Sequence, residues 1–584
     1  MDRQRGRSRH HLTVSGGVAV ASPPGRPGDG AAAPRTPAAV SRWLWAAGIT
    51  AAGVALFVAY LRLTNTYPED SDQANLGLQA WDMLHGNLLL HGWVLSDVSF
   101  YTTELPQYML LELIGGLNTG TFHAAAAMTY TLAVLLAAML AKGGCGGSKQ
   151  GRASGRRGVA RALIAGGIML APQLGFGVFI LLLTVGHIGT SVPLLVTWLV
   201  LDRGRPRWQL AVIIGVLLTW GAIADSLVLA VGALPVVLVC AVRLIQGLAG
   251  VPGGAGGLRG RLRHALRTRR FELYLAAAAV ASAVASQAVV RLIHAAGGYT
   301  LHAVTFTFEP ASKWPSQVVS TWRGLLVLFG ASYTGLAGPD RDVALLHLVG
   351  LALAAAGLIL AGWRFFGTAT LVDQVLAAAI AVNLVLYVVS NMPSLNAHEM
   401  AVVLPCAAAL AGRMLVRTDA RAPAPGRRGT ATAAARAVAA TAGAVVLAGY
   451  LGGLAREARH PAVPAQNLTL ATWLAAHHLT DGLGGYWLSS IAVVETGGQV
   501  KVRALMQFTM QRDLWESKYA WYQPRGQYAN FIVFENLPGF YDHWEPRALV
   551  HRYFGNPART YNVGPWTVME WNRNLLPDIP GNPS

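Results

Sequence analysis

Long apolar runs, repeated along most of the chain, constrain this sequence more than any other feature. Spans of about 17–25 apolar residues are the length that crosses a bilayer as a helix. Eleven stretches qualify as candidates: 43–61, 121–141, 160–181, 187–201, 208–224, 227–245, 272–293, 342–362, 369–390, 399–416 and 431–451. Backbone amides in hydrocarbon must be satisfied within their own segment, so these runs are expected to be helices. Charge agrees. Only 13% of the residues are charged and 53% are hydrophobic, against about 25% charged in a soluble domain. A cytosolic enzyme, a secreted disulfide scaffold and a disordered chain are excluded.

The 46 basic residues outnumber 28 acids, giving a net charge of +18. A nucleic-acid binder gathers its basic residues on one domain; here they lie in short segments between apolar runs, so no nucleic-acid partner is expected. The excess of Arg over Lys suggests a GC-rich genome such as an actinobacterium's. Basic residues mark cytoplasmic loops. They crowd residues 1–42, 142–161, 203–207, 243–270 and 413–436, whereas 62–120 holds Arg62 alone against seven acids. This alternation predicts a multi-pass protein of the bacterial plasma membrane, with its amino terminus in the cytoplasm. Segments 62–120, 294–341 and 452–584 are expected outside. The first span reads as a signal anchor, because its apolar run is too long for a cleaved leader and no small-residue cleavage site follows it.

Three regions follow. Residues 1–42, rich in Pro, Gly and Arg, are expected to be a disordered cytoplasmic tail. Residues 43–451 form the transmembrane part. Residues 452–584, dense in tryptophan, are expected to be a small extracytoplasmic α/β domain, with a helix over Asn467 to His478 and a strand over 529–534. The fold class is therefore an all-α polytopic membrane protein carrying a small α/β domain. Cys145, Cys240 and Cys406 show no CxxC or Cys/His ligand spacing, so neither a zinc site nor a disulfide framework is expected. The glycine-rich stretches at 143–147 and 253–257 lack the lysine and the preceding strand of a phosphate loop.

The first outer segment carries the densest chemistry. Glu69, Asp70 and Asp72 lie within four residues, just beyond the first span. Ser71 can cap a helix running to about Leu84, closed by His85-Gly86. Asp72, Asn75, Gln79 and Asp82 then form one polar stripe, and such a helix is expected to lie along the membrane surface. Pro106 to Leu117 makes a second short apolar helix, with Asp97 and Glu104 between the two. A carboxylate here can serve as general base for an acceptor hydroxyl, or hold a divalent cation such as Mg or Mn against a phosphate. The plainer reading is a solvated acidic loop. His85 and His91 are further metal-ligand candidates, and His187 and His294 at span ends suit interfacial hydrogen bonds. Arg323 has the geometry to meet a lipid phosphate. Asp225 and Asp373, near span ends, are the charges that a transporter or flippase of an envelope precursor would use. A non-catalytic assembly partner is a third class.

In this order the residues resemble the C-type (GT-C) glycosyltransferase superfamily: a first span, an acidic motif, and two surface helices before the second span. The nearest likeness is to its protein mannosyltransferase and aminoarabinose transferase branch (glycosyltransferase family 39-like), in an actinobacterial subgroup. Tyr67-Pro68-Glu69-Asp70 sits where that branch has its acidic base motif, and Thr103-Glu104-Leu105-Pro106-Gln107-Tyr108 where it has a second acid. Asn391-Met392-Pro393, His398-Glu399-Met400 and Leu404-Pro405 resemble its late outer loop, with His398 where the branch often has Arg. The resemblance implies a polyprenyl-phosphate sugar donor, a hydroxyl acceptor on an envelope glycan, lipid or protein, and inversion at the anomeric carbon. It implies Asp70 as base with Asp72 as second candidate, and Glu104 positioning the acceptor or a cation. His398 and Arg323 would meet the carrier phosphate, and Glu69, Asp97 and Gln79 the acceptor or sugar. The tail is expected to modulate acceptor choice rather than chemistry.

Single cysteines placed in 62–120 or 460–584 should react with an impermeant maleimide on intact cells, and those in 142–157 or 253–268 only after lysis. Labelling of the tail only after lysis contradicts this topology.

Overall fold

The computed structural model describes residues 38–143, 151–183, 186–249, 257–302, 306–392, 397–416, 429–465, 467–535 and 546–582. Residues 1–37 of the expected tail, Cys145, Pro393 and most of the two glycine-rich stretches lie outside them. The chain divides into Met1–Ala52 and a second compact unit, Gly53–Ser584. Of the first, the described residues form the leading part of helix α1 (Ala38–Thr64). Apart from that leading part of α1, everything below concerns the second.

Eight helices among the described residues are long and apolar enough to cross a membrane: Ala46–Thr64, Thr119–Lys142, Leu229–Ala249, Arg270–Ala295, Gly338–Arg364, Leu371–Val389, His398–Leu415 and Ala437–Glu457. They match eight of the eleven expected spans. The other three are interrupted or short. The helix Gly151–Ile168 stops before the 160–181 run is complete, where Pro172 removes a backbone donor and disfavours helix at the residue before it. Over 187–201 the helix is Ser191–Arg203, 13 residues, or about 20 Å at 1.5 Å per residue. Over 208–224 it is Trp208–Ala224, 17 residues.

Charge inside the bundle is paired. Arg413 is buried between Asp373, which its Nε contacts, and Asp202, 2.9 Å from Nη2, and it donates to the Leu140 carbonyl. Removing one member would strand a buried charge, which typically costs about 3–5 kcal/mol.

One end of the bundle carries the extra-membrane structure. Helix α2 (Ser71–Leu84) starts at Asp70, not Ser71: the Asp70 carboxylate accepts from Asp72 N, and the Gln73 side chain closes the capping box. Gly86 follows at φ +99°, a left-handed position that glycine adopts without a Cβ clash. Strand β1 (Trp93–Leu95) and helix α3 (Glu104–Gly115) come next, then α4 (Thr119–Lys142), the second span.

A three-stranded sheet joins segments far apart in sequence. β1 lies between β2 (Thr300–Leu301), parallel, and β5 (Ser517–Lys518), antiparallel. The tail also builds its own five-stranded sheet from β3 (Asp481–Gly484), β4 (Lys501–Ala504), β6 (Phe531–Glu535), β7 (Arg559–Val563) and β8 (Trp566–Glu570), in order β4-β3-β6-β8-β7. β3 pairs in parallel with β4 and β6; β8 pairs antiparallel with β6 and β7. A Cβ on Gly482 would fall 2.2 Å from the Phe531 ring, so only glycine fits beneath it. The expected helix and strand appear as Leu468–Ala476 and Phe531–Glu535.

Helix α2 does not present its polar stripe to water. Asn75 and Gln79 are buried. The tail helix Tyr486–Glu495 lies over them, with Ser490 Oγ donating to Asn75 Oδ1 at 2.5 Å. Ile491 and Val494 join the apolar core that contains Leu76, Ala80 and Trp93. At the far end Asp82 takes hydrogen bonds from Trp93 Nε1 at 2.8 Å and Lys518 Nζ at 2.9 Å.

In a chain whose native cysteines are replaced by alanine, Val94→Cys with Ser517→Cys should form a disulfide on mild oxidation, because directly opposed residues fall within disulfide reach. Cleavage at a protease site inserted in 417–428 would then leave the two fragments joined until reduction. Separation without reduction contradicts the β1–β5 pairing.

Candidate active site

The three segments expected outside the membrane share a cavity of about 570 Å³. The first contributes Asp72, Ser96, Asp97 and Phe100; the middle one contributes His302; the tail contributes Tyr486, Trp487, Asp513, Trp515 and Glu516. Phe179 enters from the short helical segment Phe179–Leu183, Gly186 and His187 from the turn before Ser191–Arg203, and His398 and Glu399 from a short helical turn, His398–Met400.

Each side chain is placed by local chemistry. Asp72 is the second residue of α2, held there by the Asp70 cap. Asp97 follows β1, where Ser99 N and Phe100 N donate to the Ala224 carbonyl at 2.8 and 3.2 Å and lock the turn against Trp208–Ala224. His187 is gripped on both nitrogens: Nδ1 lies 2.6 Å from Asp225 Oδ2 and Nε2 lies 2.7 Å from Glu399 Oε2. Thr190 Oγ1 and Leu227 N also donate to Asp225. His398 stacks on His187 with ring centroids 5.9 Å apart, and its Nε2 is 3.4 Å from Glu399 Oε1.

Acids dominate the walls, and burial raises them. Asp72 is pushed up by burial, opposed by the Tyr486 hydroxyl and by His398. Asp97 rises by burial, with His187 pulling it back and Glu399 and Asp225 adding to the rise. Burial beside Asp72 pushes Glu516 up to about 8.

His187, His398 and Glu399 bring one ligand atom each within 4.8 Å of one another. The set fits a divalent cation. His398 Nδ1 is buried with no hydrogen-bond partner among the described residues, and Asp225 on His187 Nδ1 is the carboxylate that commonly orients a metal-binding imidazole. Mixed nitrogen and oxygen donors suit Mn or Zn better than Mg.

Of the residues given a site role in the sequence, Asp72, Asp97 and His398 line this cavity, and His187, read there as an interfacial hydrogen-bonder, lines it too. Asp70 is spent on the helix cap; burial and the Asp72 charge push its carboxyl well up. Glu69 lies behind the site, 2.5 Å from His123 Nε2. Glu104 faces a separate pocket of about 30 Å³ with Leu182 and Gly189, and burial raises it to about 7. Gln79 is buried under the tail. Arg323 is exposed on the helix Trp314–Leu328 and does not line the cavity. His85 and His91 bond the carbonyls of Trp81 and Gly297, away from the acids. Polar lining residues that escaped a site assignment in the sequence include Ser96, His302, Glu399, Tyr486, Asp513 and Glu516. Glu399 had a signal, as the neighbour of His398.

No protein-family model matches the chain, and no curated protein matches it. Solved structures of the Archaeoglobus fulgidus oligosaccharyltransferase are similar. The form tethered to an acceptor peptide is 14% identical, over 84% of this chain and 69% of that one, at a TM-score of 0.45. The apo form is 13% identical over the same shares, at 0.44. The complex with an inhibitory peptide and a dolichol-phosphate is 12% identical, over 85% and 70%, at 0.44. Likeness at that level carries no argument about this chain's chemistry.

Purified protein should bind one Mn²⁺ per chain, read by electron paramagnetic resonance. Glu399→Gln should abolish binding, and Asp225→Asn should weaken it roughly 10–100-fold. Unchanged binding in both variants rules out this ligand set.

Proposed function

We propose that this chain is an integral-membrane glycosyltransferase. It moves a sugar from a polyprenyl-phosphate donor to a hydroxyl of an envelope glycan, lipid or protein on the extracytoplasmic face. The observation that carries the reading is one cavity in which an ionisable acid of the first segment, Asp72, shares walls with His187, His398 and Glu399. Those are the parts that such a transfer needs: a base for the acceptor, and a polar cluster for a phosphate. The late-loop motif that resembles GT-C enzymes supplies one of these walls through His398 and Glu399, and Asp72 stands two residues after the acidic motif Tyr67 to Asp70, which itself does not line the cavity. The basic loops at the other end of the spans support the extracytoplasmic placement.

Asp72 is the base in this account. Its carboxylate takes the proton of the acceptor hydroxyl as that oxygen attacks the anomeric carbon. The bond from that carbon to the phosphate oxygen breaks, the polyprenyl phosphate leaves with the electron pair, and configuration inverts. In this reading His398 meets the departing phosphate through a ring nitrogen. A cation on His187, His398 and Glu399 would supply charge neutralisation there when bound. Asp97 and the tryptophan faces of Trp487 and Trp515 are the sugar-binding candidates, since flat aromatic rings suit sugar faces. Glu69, Glu104, Gln79 and Arg323 act through the scaffold or not at all.

A transporter reading has less support. Of its two intramembrane carboxylates, Asp373 is ion-paired with Arg413 and Asp225 is bonded to His187.

Asp72→Asn keeps the volume and removes the basic lone pair, so transfer should fall about 10²–10⁴-fold with normal expression and donor binding. Asp70→Asn preserves a good N-cap and should stay within about tenfold of wild type. Both are read with labelled polyprenyl-phosphate sugars in proteoliposomes. Full activity in Asp72→Asn removes Asp72 as base; loss in Asp70→Asn alone restores Asp70 to that role.

A further inference from the structure

Tyr486 opens the tail helix Tyr486–Glu495, and its hydroxyl sits among three polar side chains from both sides of the cavity. Asn75 Nδ2 donates to it from 3.0 Å. It donates to Asp72 Oδ1 at 2.7 Å. Glu516 Oε2 lies 3.1 Å away. A phenol has one proton and a limited set of lone pairs, so it can serve only one of the two carboxylates. With Asn75 donating to the oxygen and the proton turned toward Asp72, the Glu516 contact is a hydrogen bond only if Glu516 brings a proton of its own. Its raised pKa, about 8, favours that form at neutral pH. Ser490 holds Asn75 by its Oδ1, which directs Nδ2 toward Tyr486. Every contact in this chain then has one donor and one acceptor, and the arrangement has a direction: from Glu516 through Tyr486 to Asp72.

We propose that Tyr486 is the positioning residue of Asp72, so that the tail completes the catalytic base rather than only choosing the acceptor. The inference rests on the transfer reading above. The Tyr486 bond engages Oδ1 of Asp72 and leaves Oδ2 for the acceptor proton, and a donor on the anion stabilises the ionised form. The groups that face Asp72 are Asp70 from its own helix start, Tyr486 and Glu516 from the tail, and His398 from the late turn. Of these groups, Tyr486 is the one that donates a hydrogen bond to the Asp72 carboxylate. Burial disfavours the anion, and Tyr486 and His398 favour it, so loss of the phenol leaves it with fewer supports. In the reaction the acceptor O–H proton passes to Oδ2 of Asp72, the new glycosidic bond forms as the phosphate leaves, and Asp72 returns the proton to water in the cavity once product departs. Tyr486 keeps its own proton throughout.

The test uses full-length protein in proteoliposomes with a labelled polyprenyl-phosphate sugar. Tyr486→Phe should lower kcat roughly 10–100-fold with KM for the donor unchanged. The sign for pH follows from the lost donor. The Asp72 anion is less stable without it, its pKa rises, and the acidic limb of kcat/KM moves to higher pH. Asn75→Ala, which leaves the phenol in place but removes the donor that directs it, should give a smaller loss with the limb moved the same way. This second variant keeps the proposal open to refutation should Tyr486→Phe fail to fold. Wild-type kcat and an unmoved acidic limb in either folded variant overturn the role of Tyr486. A rise in KM with kcat preserved overturns it too, because that pattern is acceptor or donor binding. Wild-type protein that transfers no sugar from any polyprenyl-phosphate donor instead defeats the transfer reading itself.

Discussion

The docking of the tail onto helix α2 is the interaction on which the site depends. A 14-residue helix outside the membrane is marginal by itself, and its capping box contributes only about 1 kcal/mol. Its polar stripe becomes a seam instead of a wet surface. Ser490 and Tyr486 hold Asn75, Tyr486 holds Asp72, and Lys518 holds Asp82, while Ile491 and Val494 fill the apolar groove beside Leu76. The short β2-β1-β5 sheet repeats the same connection with backbone bonds. Asp72 is consequently sheltered and oriented by residues more than 400 positions away.

Electrostatics separates the bundle from the cavity. Within the bundle Arg413 is matched by Asp373 and Asp202, as the cost of desolvating an unpaired charge requires. In the cavity the balance is left acidic: Asp72, Asp97, Glu399, Asp513 and Glu516 against His187, His302 and His398. A phosphate approaching those walls is repelled unless histidines are protonated or a cation is held beside them. The His187–His398–Glu399 cluster lies where either remedy can act. Asp72 and Asp97, raised by burial, are stronger proton acceptors for a hydroxyl than exposed carboxylates.

Much of the fold was legible because its physics is local. Apolar run length located eight spans, turn residues located the ends of α2, and a short run of aromatic and β-branched residues located the Phe531–Glu535 strand. Two expected spans broke where length alone was a poor guide, at Pro172 and in the 13-residue helix Ser191–Arg203, while the expected 208–224 run is one uninterrupted 17-residue helix. The cap of α2 belonged to Asp70 because its carboxylate, not the Ser71 hydroxyl, reaches the following amides. The site was half legible. Asp72, Asp97 and His398 stand out as polar residues beside apolar runs. Tyr486 and Glu516 do not, since only the tertiary seam brings them to Asp72. Glu69 and Glu104 stood out equally in sequence, yet His123 and the pocket beside Gly189 draw them behind the cavity; no spacing rule distinguishes an acid facing a cavity from one facing a neighbouring helix.

The account's central claim is direct sugar transfer, with Asp72 as base, from a lipid phosphate. The anomeric configuration of the product tests it most directly. Purified protein in liposomes would be given a polyprenyl-phosphate sugar of defined anomer and an envelope-lipid extract, and the linkage formed would be read by NMR. The account predicts a product of inverted configuration that disappears in Asp72→Asn. A product of retained configuration, or one formed equally well without the Asp72 carboxylate, would contradict it.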